Sequence, residues 1–369
     1  MRRITYIWEL ASWPDFRWRS PAVERPLADA RAKHAHLLGR LLDIGFDLKL
    51  ETQVAALSEE VTKTSAIEGE SLQPASVRSS VARRLGLRET LTPEDRRVEG
   101  VVEMMIDATT KFTEPLTAER LFGWHAALLP NGHSGMQRIR VGAFRDDASG
   151  PMQVISGPLG RERVHFQAPP AKRLKMEVKR FLAWFDKKPE QDGLLRAALA
   201  HLWLVTLHPF DDGNGRLSRA AGEMAIAQLE QSPQRFFSLS GAILRERKGY
   251  YDVLERTQNG SLDVTEWLLW FLGCFSSAIE QAERDCSRVL RKAAFFRRFA
   301  SEALSERQKK VLGRVLKDFD GPVTAKKWAA LGKCSLDSAQ RDITQLVESG
   351  LMRKNPGGSK NTSYSLVLE

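Results

Sequence analysis

The sequence predicts a mainly α-helical protein with one internal β-hairpin and a C-terminal winged-helix domain. Apolar residues recur at helical spacing along most of the chain. Between residues 139 and 170, glycines and prolines instead surround two short alternating runs, Met152–Ile155 and Arg163–Phe166, which is typical of a hairpin. From Glu306 onward, three helical stripes precede two short strands, and this order is typical of a winged helix.

Helices account for most of the predicted structure. In the first part of the chain they are expected at Leu27–Leu50, Val98–Phe112, Thr117–Leu129, Ala171–Phe185, Leu194–Leu207, Leu217–Leu229, Leu239–Arg256 and Val264–Phe299. In the last part they are expected at Glu306–Leu316, Thr324–Leu331 and Ser335–Glu348, followed by strands at Leu351–Lys354 and Thr362–Leu368 around a turn at residues 355–358.

Composition excludes several classes of protein. A chain of 369 residues with 42% hydrophobic and 28% charged residues is ordinary for a soluble globular protein. No apolar run reaches the roughly 18 residues that span a bilayer, and the N-terminus lacks the apolar part of a signal peptide. We therefore expect a cytoplasmic protein with no membrane partner. The three cysteines form no CxxC pair, so neither a disulfide framework nor a structural zinc site is expected.

Positive charge is concentrated at the C-terminal end. The chain carries a net charge of +10, and residues 291–369 hold 16 Lys and Arg against 8 Asp and Glu, a net of +8. Such a segment suits either a polyanion partner or a solvated basic surface. On charge alone the solvated surface is favoured, because most charged residues lie in water.

The segment His208–Arg219, with the sequence HPFDDGNGRLSR, predicts an anion-binding loop. A helix cannot continue through Pro209, and the next helix is expected to start at about Arg216. Between them lie three residues that tolerate positive φ and can turn their backbone N–H groups toward one point, Gly213, Asn214 and Gly215. The N-terminal dipole of the following helix points at the same place.

Charged side chains surround this predicted loop. Arg216 and Arg219 are one helical turn apart, so both can reach a bound anion with two N–H groups each. Asp212 offers the carboxylate oxygen that Mg²⁺ prefers when it bridges phosphates. His208 supplies an imidazole that can accept a proton near neutral pH. These are the groups that phosphoryl-type transfer needs.

The segment matches the signature of the Fic family, HPFx(D/E)GNGRxxR, at every specified position. The resemblance implies a Fic-type helical core in which this loop binds ATP with Mg²⁺. It further implies a protein adenylyltransferase, which moves AMP from ATP to a Ser, Thr or Tyr hydroxyl of a target protein or of the enzyme itself. The acidic residue Asp212 resembles the AMP-transferring members of the family.

The same resemblance implies a role for each residue of the motif. His208 would deprotonate the target hydroxyl, and Asp212 would hold Mg²⁺ on the α- and β-phosphates. The groups expected on the phosphates are Gly213, Asn214, Gly215, Arg216 on the β-phosphate and Arg219 on the γ-phosphate. The segment Lys248–Leu254 resembles the helix that lines the nucleoside pocket. It makes Tyr250 and Tyr251 candidates for nucleotide binding, with plain core packing as the alternative.

The predicted hairpin resembles the family's flap. Its approach, Gly142–Arg145, and the two strands that follow are expected to align a target segment by strand addition. Candidate docking residues are Val154, Ile155 and Val164.

A second motif precedes the predicted core. Thr64–Gly69 matches the family's inhibitory motif, (S/T)xxxE(G/N). The resemblance implies an inhibitory helix at about residues 58–69, in which Thr64, Glu68 and Gly69 take part. The Glu68 carboxylate would pair with Arg219 and so remove the partner of the γ-phosphate, and Gly69 would end the helix. We expect an N-terminal helical extension at 1–95, a Fic catalytic core at 96–290 and the winged helix at 300–369.

The winged helix leaves DNA and protein open as partners. On the Ser335–Glu348 helix, polar residues including Gln340 and Arg341 would face outward, as in helices that enter the DNA major groove. Lys354 and Lys360 flank the expected turn of the wing, whereas the acidic residues Asp337 and Asp342 count against DNA.

Three further questions stay open at this point. The chain could instead be a DNA-binding transcriptional regulator that senses nucleotide, or a de-AMPylating hydrolase in which Glu68 positions water. A homodimer is a third open point, because the sequence does not indicate the oligomeric state.

Overall fold

The computed structural model describes residues 5–42, 46–87, 95–158, 160–188, 190–298, 304–318, 322–356 and 362–367. Contacts between residues divide the chain into two compact units, residues 1–282 and residues 283–369. We call them unit 1 and unit 2 and describe each by itself.

Unit 1 is built almost entirely of helices. After a short 3-10 helix at Ile7–Glu9, its helices are α1 (Ser20–Leu42), α2 (Phe46–Ile67), α3 (Pro74–Arg84), α4 (Arg96–Thr110), α5 (Ala118–Leu128), α6 (Ala171–Asp186), α7 (Gly193–Leu207), α8 (Asn214–Glu230), α9 (Leu239–Arg245), α10 (Arg247–Gln258) and the start of α11 (Thr265–Arg298). Two antiparallel hairpins lie between α5 and α6, β1 (His133–Ser134) with β2 (Gln137–Arg138) and β3 (Gln153–Ser156) with β4 (Arg163–Gln167).

Helices α7 and α8 form the centre of unit 1. Every residue of α7 from Leu194 to Leu207 is buried, as expected for a helix that is apolar on all sides. On α8, burial extends from Asn214 to Ala227 with few interruptions. The motif of the sequence therefore lies where the two central helices meet.

The predicted helices of unit 1 are found with small shifts. The stripe at Leu27–Leu50 falls on α1 and α2, and residues 43–45 lie outside the described part. The segment Leu239–Arg256 forms two helices rather than one. Helix α9 ends at Glu246, and α10 begins directly after it. Helix α2 begins at Phe46, so the motif Thr64–Gly69 is the end of a helix much longer than 58–69. Helix α3 and the two-residue strands β1 and β2 were not predicted.

Unit 2 contains α12 (Glu306–Asp318), α13 (Ala325–Gly332), α14 (Leu336–Glu348) and the antiparallel pair β5 (Met352–Lys354) and β6 (Tyr364–Leu366). This order of three helices and a hairpin matches the sequence pattern. Thr324 and Ser335 act as N-caps, since their hydroxyls accept the N–H groups of Lys327 and Ser338. Residues 357–361, which include the second half of the predicted turn and Lys360, lie outside the described part.

The expectation for Asp342 is wrong. It counted against DNA binding as an acidic residue of α14, but its side chain is buried with Ile343 and Leu346. It accepts two hydrogen bonds from Arg307, at 2.7 and 2.8 Å, and one from the Trp328 indole at 3.0 Å. The carboxylate is thus neutralised inside the unit. Asp337, by contrast, is exposed as predicted.

Among the described helices, none combines the length and the apolar character that crossing a membrane requires.

Helices α4 and α5 pack so closely that one position admits only glycine. A Cβ atom added at Gly100 would lie 1.7 Å from the carbonyl oxygen of Ala127.

We expect Gly100→Ala to lower the free energy of unfolding by about 1–3 kcal/mol, because backbone must move to make room. Gly123, in α5, is the control, since a Cβ atom added there would meet no atom within 4 Å. Gly123→Ala should be neutral or stabilising by up to about 1 kcal/mol. Urea unfolding checks both; equal effects of the two substitutions would contradict the close packing.

Candidate active site

His208 ends helix α7 and carries a ring nitrogen able to accept a proton. Its backbone is left-handed, with φ 48° and ψ 55°, and its N–H donates to the Leu204 carbonyl at 3.1 Å. Its Nδ1 lies 3.1 Å from the Val205 carbonyl oxygen. Because a carbonyl can only accept, Nδ1 carries the proton, and Nε2 of the neutral ring holds a free lone pair. Burial lowers the pKa of His208, the Val205 bond opposes this, and the Arg145 cation lowers the pKa further.

Arg145 is a buried clamp on the backbone around His208. Its Nε donates to the His208 carbonyl at 2.7 Å, and its Nη2 donates to the Pro169 carbonyl at 2.6 Å. Its own N–H donates to the Pro209 carbonyl at 3.0 Å, and its charge is balanced by Asp147 at 2.9 Å. The sequence placed Arg145 on the approach to the flap but gave no sign of this clamp, because its partners are distant in the chain.

The loop after His208 is closed by an asparagine side chain. Asn214 Oδ1 accepts the Phe210 N–H at 3.0 Å, and its Nδ2 donates to the Phe210 carbonyl at 2.8 Å. The buried Phe210 ring stacks on His125 with centroids 4.3 Å apart. The loop is therefore stabilised by its own hydrogen bonds and by aromatic stacking.

The predicted backbone of the loop needs one correction. Helix α8 begins at Asn214 rather than at about Arg216, and of the three residues expected to tolerate positive φ only Gly213 uses it, with φ 80°. Asn214 and Gly215 belong to the first helical turn. The first N–H groups of a helix have no partner within it. The N-terminus of α8 therefore still offers hydrogen-bond donors and a positive dipole to an anion.

Two aspartates tie the unpredicted β1–β2 hairpin to the loop. Asp212 accepts the Ser134 hydroxyl at 2.6 Å and the Gly213 N–H at 2.6 Å. Asp211 accepts the Arg140 N–H at 2.9 Å. Within the described residues, no three His, Cys, Asp or Glu side chains are gathered as a metal site. A single carboxylate at Asp212 suits Mg²⁺, which commonly takes its other ligands from phosphates and water.

Both motif arginines are buried and paired with glutamates from the end of α2. Arg219 donates to Glu68 Oε1 at 2.7 Å, to Thr64 Oγ1 at 2.7 Å and to the Thr64 carbonyl at 2.9 Å. Arg216 donates to Glu70 Oε2 at 2.7 Å. The sequence pointed to the Glu68 pair through its motif. It missed Glu70, whose partner Arg216 is remote in the chain.

The Glu68 carboxylate covers the first turn of α8. A Cβ atom added at Gly215 would lie 2.2 Å from Glu68 Oε1. The carboxylate is aimed by the end of α2, where Gly69 has φ 85° and the Glu70 N–H donates to the Ser65 carbonyl at 3.0 Å. This is the glycine-ended helix terminus that the sequence predicted. Glu68 thus lies where an anion on the α8 N-terminus would lie.

Contacts with α9 and α10 hold the end of α2 in place. Glu60 accepts the Ser238 hydroxyl at 2.8 Å and the Ser240 N–H at 2.9 Å at the start of α9. Arg247 Nε donates to the Ile67 carbonyl at 2.8 Å, and the Tyr251 hydroxyl lies 3.3 Å from the same oxygen.

The two candidate tyrosines lie in different surroundings. Tyr251 is 38% exposed beside the end of α2. Tyr250 is buried, with its hydroxyl 2.9 Å from His201 Nε2, and burial raises its pKa. The structure therefore puts Tyr250 beneath the site and Tyr251 at its border.

The flap hairpin is fastened to α10 and leaves apolar side chains outside. Glu255 lies 2.6 Å from His165 Nδ1, and Asn259 donates to the His165 carbonyl at 2.9 Å. Ile155 pairs with Val164 across the hairpin, and their side chains are 54% and 38% exposed, whereas Val154 is half-buried. Among the described strands, β3 pairs with β4 alone, so its outer edge can take another strand.

Two parts of the chain match known family models. Residues 115–226 match the family model described as Fic/DOC family, so the chain contains a Fic/DOC domain that includes the loop and both arginines. Residues 6–87, which include α2, match a domain of unknown function, DUF4172.

Two curated relatives are similar over part of their length. A uridine 5'-monophosphate transferase of Xanthomonas campestris pv. campestris (strain 8004) is 30% identical over 165 residues, 39% of this chain and 27% of that protein. A protein adenylyltransferase Fic of Nematostella vectensis is 24% identical over 233 residues, 61% of this chain and 48% of that protein. The chain thus spans between about a quarter and a half of the length of these relatives.

A solved structure has the same fold. The crystal structure of a Fic family protein from Desulfovibrio desulfuricans G20 aligns with a TM-score of 0.54 and 17% identity, over 95% of this chain and 97% of that one. At this identity the likeness concerns the fold alone.

The surroundings of His208 predict a neutral ring at unusually low pH. Since its pKa lies below the ordinary 6.5, the free Nε2 should persist at pH 6.5 and be lost only as the pH falls through the lowered value. NMR titration of the histidine ring signals, with His208→Gln for assignment, measures this. A midpoint at or above 6.5 would contradict the environment described.

Proposed function

We propose that this chain is a protein nucleotidyltransferase that moves AMP from ATP to a Ser, Thr or Tyr hydroxyl, and that Glu68 holds it in an inhibited state. One observation carries the proposal: a single loop brings the free Nε2 of His208, the Asp212 carboxylate, the N-terminus of α8 and two buried arginines together. The Fic/DOC domain match and the named activities of the relatives support it.

The chemistry follows from the groups present. His208 Nε2 takes the proton of the target hydroxyl as its oxygen bonds to the α-phosphorus, and the bond from that phosphorus to the bridging oxygen breaks. Pyrophosphate leaves with the electron pair. The N–H groups at the start of α8, with Arg216 and Arg219, offset the negative charge on the phosphates. Mg²⁺, held by Asp212 and the phosphates, would supply further charge neutralisation.

Inhibition rests on competition for Arg219. Its guanidinium is almost fully buried and already bonded to Thr64 and Glu68, so a γ-phosphate must displace the carboxylate to reach it. The carboxylate also lies against Gly215, where it would repel a phosphate on the α8 N-terminus. ATP can then bind productively only when Glu68 moves away.

Protein targets would dock on the flap. The unpaired edge of β3 can add a target strand through backbone hydrogen bonds, and the exposed Ile155 and Val164 can contact apolar target side chains.

Removing the inhibitory carboxylate should activate the protein. With ATP radiolabelled on the α-phosphate, we expect Glu68→Gly to raise self-labelling at least about tenfold, equivalent to about 1.4 kcal/mol, because Arg219 becomes available. His208→Ala in the Glu68→Gly background should abolish the label. Parallel reactions with labelled UTP test which nucleotide is used. Label that survives His208→Ala would exclude His208 as the base. Label that disappears on prolonged incubation of the wild-type protein but persists on Glu68→Gly would favour the hydrolase alternative, in which Glu68 positions water.

Glu70 should inhibit more weakly than Glu68. Its side chain is 43% exposed and engages one nitrogen of Arg216, whereas the Glu68 side chain is 30% exposed. We expect Glu70→Ala to raise labelling about two- to fivefold, since a partly exposed pair contributes up to about 1 kcal/mol. Glu51→Ala, which removes an exposed glutamate of α2, is the control and should have no effect. Equal labelling by the Glu70 and Glu51 variants would show that the Arg216 pair does not restrain the enzyme.

A further inference from the structure

We propose that unit 2 binds duplex DNA, with helix α14 in the major groove and the β5–β6 hairpin on the phosphates. The inference is independent of the proposed enzymatic function. The surface concerned, here called the α14–hairpin face, consists of Leu336, Gln340, Arg341, Thr344, Arg353 and Lys354, all of which are exposed.

The arrangement of α13 and α14 presents one side of α14 to solvent. A tight turn joins them, with Lys333 at φ 49° and the Cys334 N–H bonded to the Ala329 carbonyl at 3.1 Å. The buried side of α14 packs with Trp328 through Ala339, Ile343 and Leu346. Two helices joined in this way, with the second one exposed along a polar side, form the unit that inserts a helix into the major groove.

The exposed side of α14 carries fewer acidic side chains than the helix sequence contains. Asp342 is turned into the core, where the Arg307 hydrogen bonds and charge keep its pKa below the ordinary value. Two acidic residues of the helix stay exposed: Asp337 near the start, where it complements the helix dipole, and Glu348 at the end. Gln340, Arg341 and Thr344 remain along this side, and all three are side-chain types that can reach base edges.

The hairpin brings positive charge to the same face. Lys354 pairs in register with Tyr364, whose hydroxyl accepts Gln340 Nε2 at 3.3 Å. This contact places the hairpin beside α14. The exposed Lys354 lies on the side of the hairpin that carries Tyr364, whereas the exposed Arg353, one residue earlier in the strand, lies on the other side. Residues 283–369 as a whole carry 18 Lys and Arg against 10 Asp and Glu. A net positive unit with flanking cations suits the phosphates of a duplex.

Other macromolecules fit the face less well. Single strands and unpaired RNA are usually bound by stacking on exposed aromatic rings, but Trp328 and Tyr364 are buried. A protein interface of useful strength needs apolar anchors, and Leu336, 57% exposed, is the large apolar side chain that this face offers. Duplex DNA is therefore the partner that the side chains favour.

The test uses the full chain and a fluorescent pool of random-sequence duplexes. Anisotropy measured between about 50 and 200 mM salt should show binding that weakens with salt. We expect Arg353→Ala with Lys354→Ala to weaken binding to all duplexes and to reduce the slope of log affinity against log salt by about two. Lys175→Ala with Lys179→Ala, which removes two exposed cations of α6, is the matched control and should leave the slope unchanged.

Base contacts are tested on duplexes enriched from the pool by repeated binding. Arg341→Ala should bind the enriched sequence about 5- to 150-fold more weakly and a scrambled duplex almost as well as before. Self-labelling of each variant should be unchanged, whereas His208→Ala should bind DNA normally. The proposal is overturned if low-salt binding is absent, if the hairpin and α6 variants behave alike, if enrichment yields no preferred sequence, or if single strands or RNA bind better.

Discussion

Two guanidinium groups removed from water are the constraint on which the site depends. Arg216 and Arg219 are each 2% exposed, and a buried cation is tolerated only with an anion and hydrogen bonds around it. Burial acts to lower the pKa of Arg219, but the Glu68 carboxylate outweighs this and raises it. The positive charge is thus maintained by a partner that a phosphate can replace. If the proposed function holds, stability of the resting protein and readiness to bind a triphosphate have the same cause.

Glu68 and Glu70 can serve as this partner because other residues hold helix α2 in place. Glu60 bonds to the start of α9, and Arg247 bonds to the last carbonyl of the helix. Beyond Ile67 the backbone turns at Gly69, so Glu68 and Glu70 stand on a short segment after the anchored helix. A carboxylate on such a segment can withdraw without unfolding α2. Helix α2 is therefore fixed in place, while the glutamate–arginine ion pairs that follow it can be replaced.

The sequence predicted the parts of the site that are close together in the chain. His208, Asp212, Arg216 and Arg219 share one loop and one helical turn, so their spacing alone indicated a common anion. Helices were predicted well because their burial follows the helical period. The sequence did not predict helix α3, because this helix is short and polar and its buried side includes Ser79 and Ser80. What could not be predicted depends on partners far apart in sequence: the Arg145 clamp, the Ser134 bond to Asp212, the Glu70 pair and the inward turn of Asp342.

Gly215 is the position where the observed Glu68 contact and the proposed nucleotide contact would coincide. A glycine early in a helix costs about 1 kcal/mol relative to alanine, so a structural reason for it is needed. The reason visible in the structure is the Glu68 oxygen, which occupies the space that a Cβ atom would take. A phosphate that replaced the carboxylate would need the same close approach to the first turn of α8. The missing side chain therefore suits either anion, and under the proposed function the Glu68 carboxylate and the substrate phosphate would exchange at one place on the helix.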